Sequence, residues 1–304
     1  NSDNWTHVDT TISGGTLNIA SVTSARASNS NWNGVTGNQY VVKINVTAIT
    51  GVIRLDDDGA GGGAGSTTTY ATISSTGIQY FHITKTASAR FRFLRSSGSA
   101  SITEIEVHNK EPDRSVNNNG LQVFGTITKT AVATGADLVA YSGFTTSNYL
   151  LQPYNAALNF TNEFSISFWV KNWSAGQDLL HRGPGQTRNS KTSFHMYCDG
   201  GYDYRLTLTS NGSSEQTFEI PLSGNLTGWQ NVCFTLTPGG AVRGYLNGRL
   251  EFTGAFTGTN IFTQATDQNG LYIGDGPVSA AFGGSLALLR LSATAPTPEQ
   301  IKKM

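Results

Sequence analysis

Apolar and polar residues alternate over short stretches along this chain, and Gly, Asn and Ser bound most of these stretches. Alternation with a period of two is typical of β-strands with one buried face. In the first third, this pattern predicts strands at 16–20, 39–47, 51–55, 68–74, 78–84, 89–94 and 101–107. No helical period separates them, which favours an antiparallel sandwich over a parallel sheet.

A polar segment then divides the chain. Charged residues cluster around Pro112 in the segment 109–119, which ends in an Asn triplet at 117–119. We predict a linker here, followed by a hairpin formed by 121–127 and 131–133. The predicted organisation is therefore a domain at 1–108, a linker and hairpin at 109–137, and a second domain at 138–304.

The second domain shows the same strand pattern and one helix signal. Its predicted strands are 165–170, 178–181, 193–198, 204–209, 216–220, 229–236, 241–246, 270–273 and 284–291. At the end of the chain, Thr297 fits an N-cap, Pro298 the first helical position and Gln300 the third. The fold class predicted is all-β: two antiparallel β-sandwich (jelly-roll) domains in tandem with a short C-terminal helix.

Composition narrows the range of functions. Charged residues are 13% of the chain, the net charge is zero and the pI is about 7.1. Nucleic acid as a partner is excluded, because a phosphate-binding surface needs clustered Lys and Arg. No apolar run is long enough for membrane insertion. Cys198 and Cys233 lie in apolar, strand-like stretches, so we expect buried free thiols, with a disulfide as the alternative.

Residues 1–108 resemble carbohydrate-binding modules of the family 4/9 type. The resemblance rests on Trp5, GTLNI at 15–19, VTGNQYVV at 35–42 and SITEIEV at 101–107. Glu104 stands where such modules usually have an Asp, so the structural calcium site of that family does not carry over. The resemblance implies a jelly-roll sandwich.

Residues 138–304 resemble laminin-G-like, concanavalin-A-like jelly rolls. The motifs follow in the order of that family: NYL at 148–150, FSISFWV at 164–170, DLLHRG at 178–183, GWQNVCF at 228–234, YLNG at 245–248, LYIG at 271–274, FGGSL at 282–286 and PEQI at 298–301. The Asp-Glu pair often found in the closing strand is replaced by Leu286 and Ala287.

Such a domain, preceded by the segment 114–149, resembles the distal region of bacteriophage tail-fibre and virion-surface proteins. This resemblance implies a protein of the virion surface or the extracellular space that binds host-surface glycans. It also implies assembly as a homotrimer or with other virion proteins.

Aromatic residues are the candidates for sugar contact, because the apolar faces of sugars stack on rings. Trp32 lies in an Asn- and Ser-rich stretch, where a core role is hard to see. Tyr70 is expected to be half-buried, and Trp173, Tyr202 and Tyr204 lie at turn-like positions. For all five, packing or a subunit contact is the alternative.

Carboxylates at two places are candidate ligands of Ca²⁺, the one cofactor we expect. Asp56 and Asp58 precede a glycine-rich tract at 58–66, where a charged loop tip is the alternative. The laminin-G-like resemblance implies Asp203 as a ligand at a sandwich rim, with Asp199 as a helper. A turn-capping role for Asp203 is the alternative.

Glu104 and Glu106 are a candidate catalytic pair, since residues two apart on a strand share a face. The hydrolase pattern also needs a third acidic residue, and Asn109 stands there, so no catalytic residue is assigned. The predicted function is that of a non-enzymatic, glycan-binding adhesin. The alternatives are an extracellular polysaccharide hydrolase or lyase on the concanavalin-A-like fold, and a purely structural fibre or trimerisation module.

Overall fold

The computed structural model describes residues 5–58, 68–87, 89–111, 120–184, 192–263, 269–275 and 280–304. The chain divides into two compact units, Asn1–Gln122 and Val123–Met304. The predicted all-β fold class is confirmed, since strands dominate both units and the α-helix described is a single short one.

The first unit is built from eight antiparallel strands. They are β1 (Trp5–Val8), β2 (Thr10–Ser13), β3 (Thr16–Ile19), β4 (Arg26–Asn33), β5 (Gln39–Asp57), β6 (Thr69–Ile73), β7 (Gly77–Thr84) and β8 (Arg90–Glu111). A further strand, β9 (Leu121–Phe124), begins in this unit and ends in the next.

The two longest strands, β5 and β8, pair with each other along most of their length. One half of β8 also pairs with β4 and the other half with β3, whereas β5 pairs with β7 and then with β6. Gly51 of β5 and Gly98 of β8 are paired with each other, and both have a positive φ. A side chain at position 98 would collide with the Thr50 carbonyl, so this position requires glycine.

Alternate residues of these strands form one apolar core. Tyr40, Val42 and Ile44 of β5 are buried in it together with Phe91 and Phe93 of β8. The strand pattern predicts this burial, because residues two apart point to the same face of a strand. Trp5 and Trp32 are partly buried and pack against this core.

In its described residues, the second unit contains the remaining strands, a 3₁₀ turn (Ala156–Leu158) and a short α-helix. The strands are β10 (Thr128–Ala131), β11 (Val139–Ser142), β12 (Tyr149–Gln152), β13 (Phe164–Lys171), β14 (Gln177–Pro184), β15 (Phe194–Cys198), β16 (Tyr204–Thr209), β17 (Glu215–Ile220), β18 (Gln230–Leu236), β19 (Ala241–Leu246), β20 (Arg249–Ala255), β21 (Asn269–Ile273), β22 (Ala280–Ala281) and β23 (Ser285–Ser292).

These strands form two sheets. One has the order β10-β11-β23-β13-β18-β19-β20, and the other includes β12-β21-β14-β15-β16-β17. Neighbours pair antiparallel apart from the short β22, which runs parallel to β14. The predicted hairpin of 121–127 with 131–133 is wrong, because Thr128–Ala131 is an edge strand that pairs with Val139–Ser142, whereas Leu121–Phe124 lies in the other sheet.

The predicted C-terminal helix is confirmed as α1 (Pro298–Ile301). Thr297 and Gln300 form the expected capping box, in which each side chain accepts a hydrogen bond from the backbone N–H of the other. Ile301 anchors the helix in a small buried cluster with Cys233 and Tyr245. In the described ranges, no helix has the length and apolar character needed to cross a bilayer.

Candidate functional site

A cleft of about 370 Å³ opens on the first unit. Trp5 and Trp32 line it, together with the polar residues Asn29, Asn31 and Thr103. Buried or half-buried aliphatic side chains form the rest of the lining: Ile12, Leu17, Ile102 and Ile105. The cleft therefore combines apolar surfaces with a few amide and hydroxyl groups, and none of the described residues that line it is charged.

The two tryptophans are positioned by strand pairing. Trp5 of β1 lies opposite Asn29 of β4, and Trp32 lies three residues further along β4. The two rings meet edge to face, with centroids 5.3 Å apart and an interplanar angle of 78°. Phe93 packs behind Trp5, at a centroid distance of 6.4 Å. Each ring is fixed against the core on one side and remains partly exposed on the other.

The polar groups of the cleft lie on β4 and β8. Asn29 is buried, and its Oδ1 accepts a hydrogen bond from the Asn31 backbone N–H at 2.9 Å. This bond fixes the backbone that carries the exposed Asn31 side chain. Thr103 is exposed on β8. Amide and hydroxyl groups at such positions bond the hydroxyls of a sugar whose apolar face contacts the rings.

Trp32 has the polar neighbours that the sequence indicates, but it belongs to a strand that the sequence pattern does not predict. It lies on β4 and packs partly against the core. Its contact with sugar stays a prediction. The sequence predicts no role in binding for Trp5 or Thr103, although the first-domain resemblance rests partly on Trp5. Their proximity depends on the register of β1, β4 and β8, which carries no local signal.

Tyr70 does not line this cleft. Its hydroxyl donates to Asp57 Oδ2 at 2.5 Å, and it accepts from the backbone N–H of Thr86 at 3.2 Å. Burial, followed by the hydrogen bond to Asp57, raises the pKa of Tyr70. The hydroxyl is therefore engaged within the first unit.

Asp56 and Asp58 are buried among guanidinium groups, which corrects the expected setting on an open loop. Arg54 and Arg92 lie 3.4 and 3.7 Å from Asp56, and Arg90 and Arg92 lie 2.6 and 3.6 Å from Asp58. Burial lowers the pKa of Arg92, against the two carboxylates that raise it. The charges balance within the protein, because β8 supplies cations opposite the acidic end of β5. Most of the glycine-rich tract, 59–66, lies outside the described residues.

Asp199 caps the turn between β15 and β16, whereas the Asp203 carboxylate bonds the segment that follows β17. Asp199 Oδ1 accepts from the backbone N–H groups of Gly201 and Asp203, both at 2.9 Å, and Asp203 Oδ1 accepts from Leu222 at 2.8 Å. Arg205 pairs with Asp199 at 2.8 Å and lies 3.9 Å from Asp203. These contacts engage both carboxylates within the protein, and calcium binding stays a prediction. Within the part of the chain that is described, no group of three His, Cys, Asp or Glu side chains is arranged to hold a metal ion.

The proposed sugar contacts of Trp173 and Tyr204 are wrong, because both side chains are 1% exposed. Their rings stack 4.7 Å apart in the core of the second unit. The Trp173 Nε1–H donates to the Gln177 carbonyl at 3.1 Å, which draws the ring inward from a turn. Tyr202 does lie in a turn, half-buried and with a φ of 74°.

Glu104 and Glu106 share a face of β8, as predicted, and Lys43 of β5 lies between them. Its Nζ is 2.8 Å from Glu104 and 3.4 Å from Glu106. Burial lowers the pKa of Lys43, but the hydrogen bond to Glu104 and the charge of Glu106 more than offset this and raise it. A hydrogen bond with His108, aided by the charge of Lys43, lowers the pKa of Glu106 to about 2. Glu106 is therefore ionised at neutral pH and suited to an ion pair rather than to acid catalysis.

Several solved structures are similar to this chain at low sequence identity. Domain 4 of AbnA, a GH43 extracellular arabinanase from Geobacillus stearothermophilus, is 20% identical with a TM-score of 0.47, and the match covers 62% of this chain and 90% of that one. The binding domain of Paraclostridial Mosquitocidal Protein 1 is 13% identical with a TM-score of 0.47, and the match covers 63% of this chain and 48% of that one. The botulinum neurotoxin serotype G binding domain is 10% identical with a TM-score of 0.48, and the match covers 63% of this chain and 47% of that one. At these values the likeness carries no argument about function.

No curated protein sequence matches this chain. The family model Laminin_G_3, described as the concanavalin A-like lectin/glucanases superfamily, matches residues 144–302, which is more than half of the chain. The match confirms the laminin-G-like prediction for the second unit, whereas the carbohydrate-binding-module resemblance of the first stays a prediction. The chain therefore belongs to the concanavalin A-like lectin/glucanases superfamily.

Proposed function

We propose that this chain is a glycan-binding adhesin. The observation that carries the proposal is the cleft of the first unit, where Trp5 and Trp32 stand beside Asn29, Asn31 and Thr103. Partly exposed rings fixed from behind suit the apolar face of a sugar. The neighbouring amides and hydroxyl suit the sugar hydroxyls.

The composition supports a neutral polysaccharide as the ligand class. The chain has no net charge, and the described residues that line the cleft include no Lys or Arg. A phosphorylated or strongly acidic ligand would require such cations. Membership of a superfamily that includes lectins agrees with sugar recognition.

We further propose that the chain acts at the virion surface or in the extracellular space, as the distal part of a phage tail fibre that recognises host-cell polysaccharide. Support for this finer assignment comes from the sequence resemblance of the segment 114–149 and the domain that follows it. A shallow site binds weakly alone, and a homotrimer would present several copies at once. Avidity then raises the overall affinity without any new contact.

A glycan array probed with the purified chain tests the proposal. Retention on a set of related neutral glycans supports it, whereas no retention at high protein concentration contradicts it. The same glycans are then incubated with the chain in solution and assayed for new reducing ends. The appearance of new reducing ends would establish the alternative, a polysaccharide hydrolase or lyase. Glu104 and Glu106 are the candidate catalytic pair of that alternative.

A further inference from the structure

Lys85 is a fully buried lysine in the first unit. Its Nζ contacts Asp57 Oδ1, and both side chains are completely shielded from water. The amine also lies over two aromatic rings, 4.3 Å from the centroid of Phe91 and 5.2 Å from that of Tyr70. The backbone of Lys85 is fixed on both sides, because its N–H donates to Asn38 and its carbonyl accepts from Gly37, each at 2.9 Å.

Asp57 is held equally firmly. It is the last residue of β5 and lies opposite Phe91 in the β5–β8 register. Its backbone N–H donates to the Thr68 carbonyl at 3.1 Å. One carboxyl oxygen, Oδ1, contacts Lys85, and the other, Oδ2, accepts the Tyr70 hydroxyl at 2.5 Å. An amine and a carboxyl group are thus fixed in contact, with an O–H donor on the far oxygen.

A dry site of this kind activates the amine. Burial lowers the pKa of Lys85, against the hydrogen bond and charge of Asp57. Proton transfer within the pair gives a neutral amine and a carboxylic acid, which a low-dielectric site favours over two charges. Groups held in such contact reach effective concentrations of roughly 10⁵ M or more.

We propose that Lys85 and Asp57 form an intramolecular isopeptide bond. The amine nitrogen attacks Asp57 Cγ, and the Tyr70 hydroxyl stabilises the negative charge that develops on Oδ2. The Nζ–Cγ bond forms, the Cγ–Oδ1 bond breaks, and Oδ1 leaves as water with one proton from the acid and one from the amine. The product is an amide plus one water, with no oxidant or cofactor consumed.

The bond has a structural purpose in this unit. It joins the end of β5 to the residue after β7, closing a loop between positions 28 apart in sequence. A cross-link of that span restricts the unfolded chain in the same way as a disulfide. The first unit contains no cysteine and therefore cannot form an internal disulfide. An isopeptide bond needs only a lysine and a carboxyl group.

Mass spectrometry of the denatured full chain tests the proposal without any mutation. The expected mass is lower than the sequence mass by one water. Trypsin cleaves after Arg54, Lys85 and Arg90 in an unlinked chain, but a linked Lys85 resists cleavage. The expected product is therefore one peptide, 55–90, minus one water, in place of separate peptides 55–85 and 86–90.

Two results would overturn the proposal. One is the full sequence mass with normal cleavage after Lys85. The other is a water loss with cleavage after Lys85 intact, because a succinimide at Asp58 before Gly59 would give that pattern.

Three comparisons sharpen the result. Lys43 and Glu104, a partly exposed pair 2.8 Å apart in the same unit, serve as the matched control and are expected to remain unlinked. Lys85→Met keeps the apolar stem and restores the full sequence mass. Tyr70→Phe keeps both reacting groups and slows linkage roughly a hundredfold. Linkage of Tyr70→Phe at the wild-type rate would refute the role given to Tyr70.

Discussion

The ring of Trp5 meets the ring of Trp32 edge to face at 5.3 Å, although 26 residues separate them in the chain. The contact depends on the pairing of β1 with β4, which brings Trp5 opposite Asn29. Aromatic pairs in this arrangement hold each other in place. Both rings are therefore positioned by contacts within the protein, and such preorganisation reduces the entropy lost on binding.

Replacing Trp173 by Ala is expected to destabilise the second unit by about 4 kcal/mol, as is usual when a large aromatic side chain leaves a cavity in a core. Trp173 stacks on Tyr204 and contacts Phe168 and Phe282 edge to face. Urea unfolding followed by circular dichroism measures the effect. A change below 1 kcal/mol would show that the ring is not in the core.

Cys198 and Cys233 are expected to resist alkylation in the folded protein. Both are buried free thiols, as predicted, and burial raises the pKa of each to about 12. The reactive thiolate is therefore scarce at pH 8. Iodoacetamide labelling should be negligible in buffer and complete in denaturant. Rapid labelling of the native chain would contradict the burial of these residues.

Glu106 is expected to make stability fall on acidification. Its pKa is about 2 in the folded state against 4.5 ordinarily, chiefly because of the hydrogen bond with His108. A lowered folded-state pKa adds stability above pH 4.5 that is lost as the pH falls toward 2. Glu106→Gln should flatten the stability curve in that range. Superimposable wild-type and variant curves from denaturant unfolding would contradict this ion-pair account.

Calcium is expected to leave the melting temperature unchanged, since Arg205 and backbone N–H groups already bind the carboxylates of Asp199 and Asp203. If calcium bound, a free concentration a hundred times its Kd would raise the free energy of unfolding by about 2.7 kcal/mol. Differential scanning fluorimetry with calcium and with a chelator measures the difference. A lower melting temperature in chelator would support the calcium site that the sequence resemblance implies.

Local pattern accounts for what the sequence predicts correctly. The alternation in β3 predicts its buried face, and the spacing of Thr297, Pro298 and Gln300 predicts a capped helix. These features depend on residues within one strand or one turn.

The errors arise where distant residues meet. In the sequence, Asp56 resembles a loop carboxylate, because it is close to the glycine-rich tract. In the structure, β8 places Arg92 opposite it, and bulges interrupt the register that brings the two residues together. Trp173 follows a strand end like an exposed turn residue, but its ring points into the core between two sheets. Neither the register nor the direction of a ring after a turn is encoded locally.

The most direct test of glycan binding at this cleft is calorimetric titration of three proteins with the best array ligand. They are the wild type, Trp32→Ala, and Trp229→Ala as a control at a half-buried tryptophan of the second unit. We predict that Trp32→Ala loses about 2 kcal/mol, or roughly 30-fold in affinity, while Trp229→Ala binds like the wild type. Equal affinity of wild type and Trp32→Ala would contradict the assignment of the cleft as the glycan site.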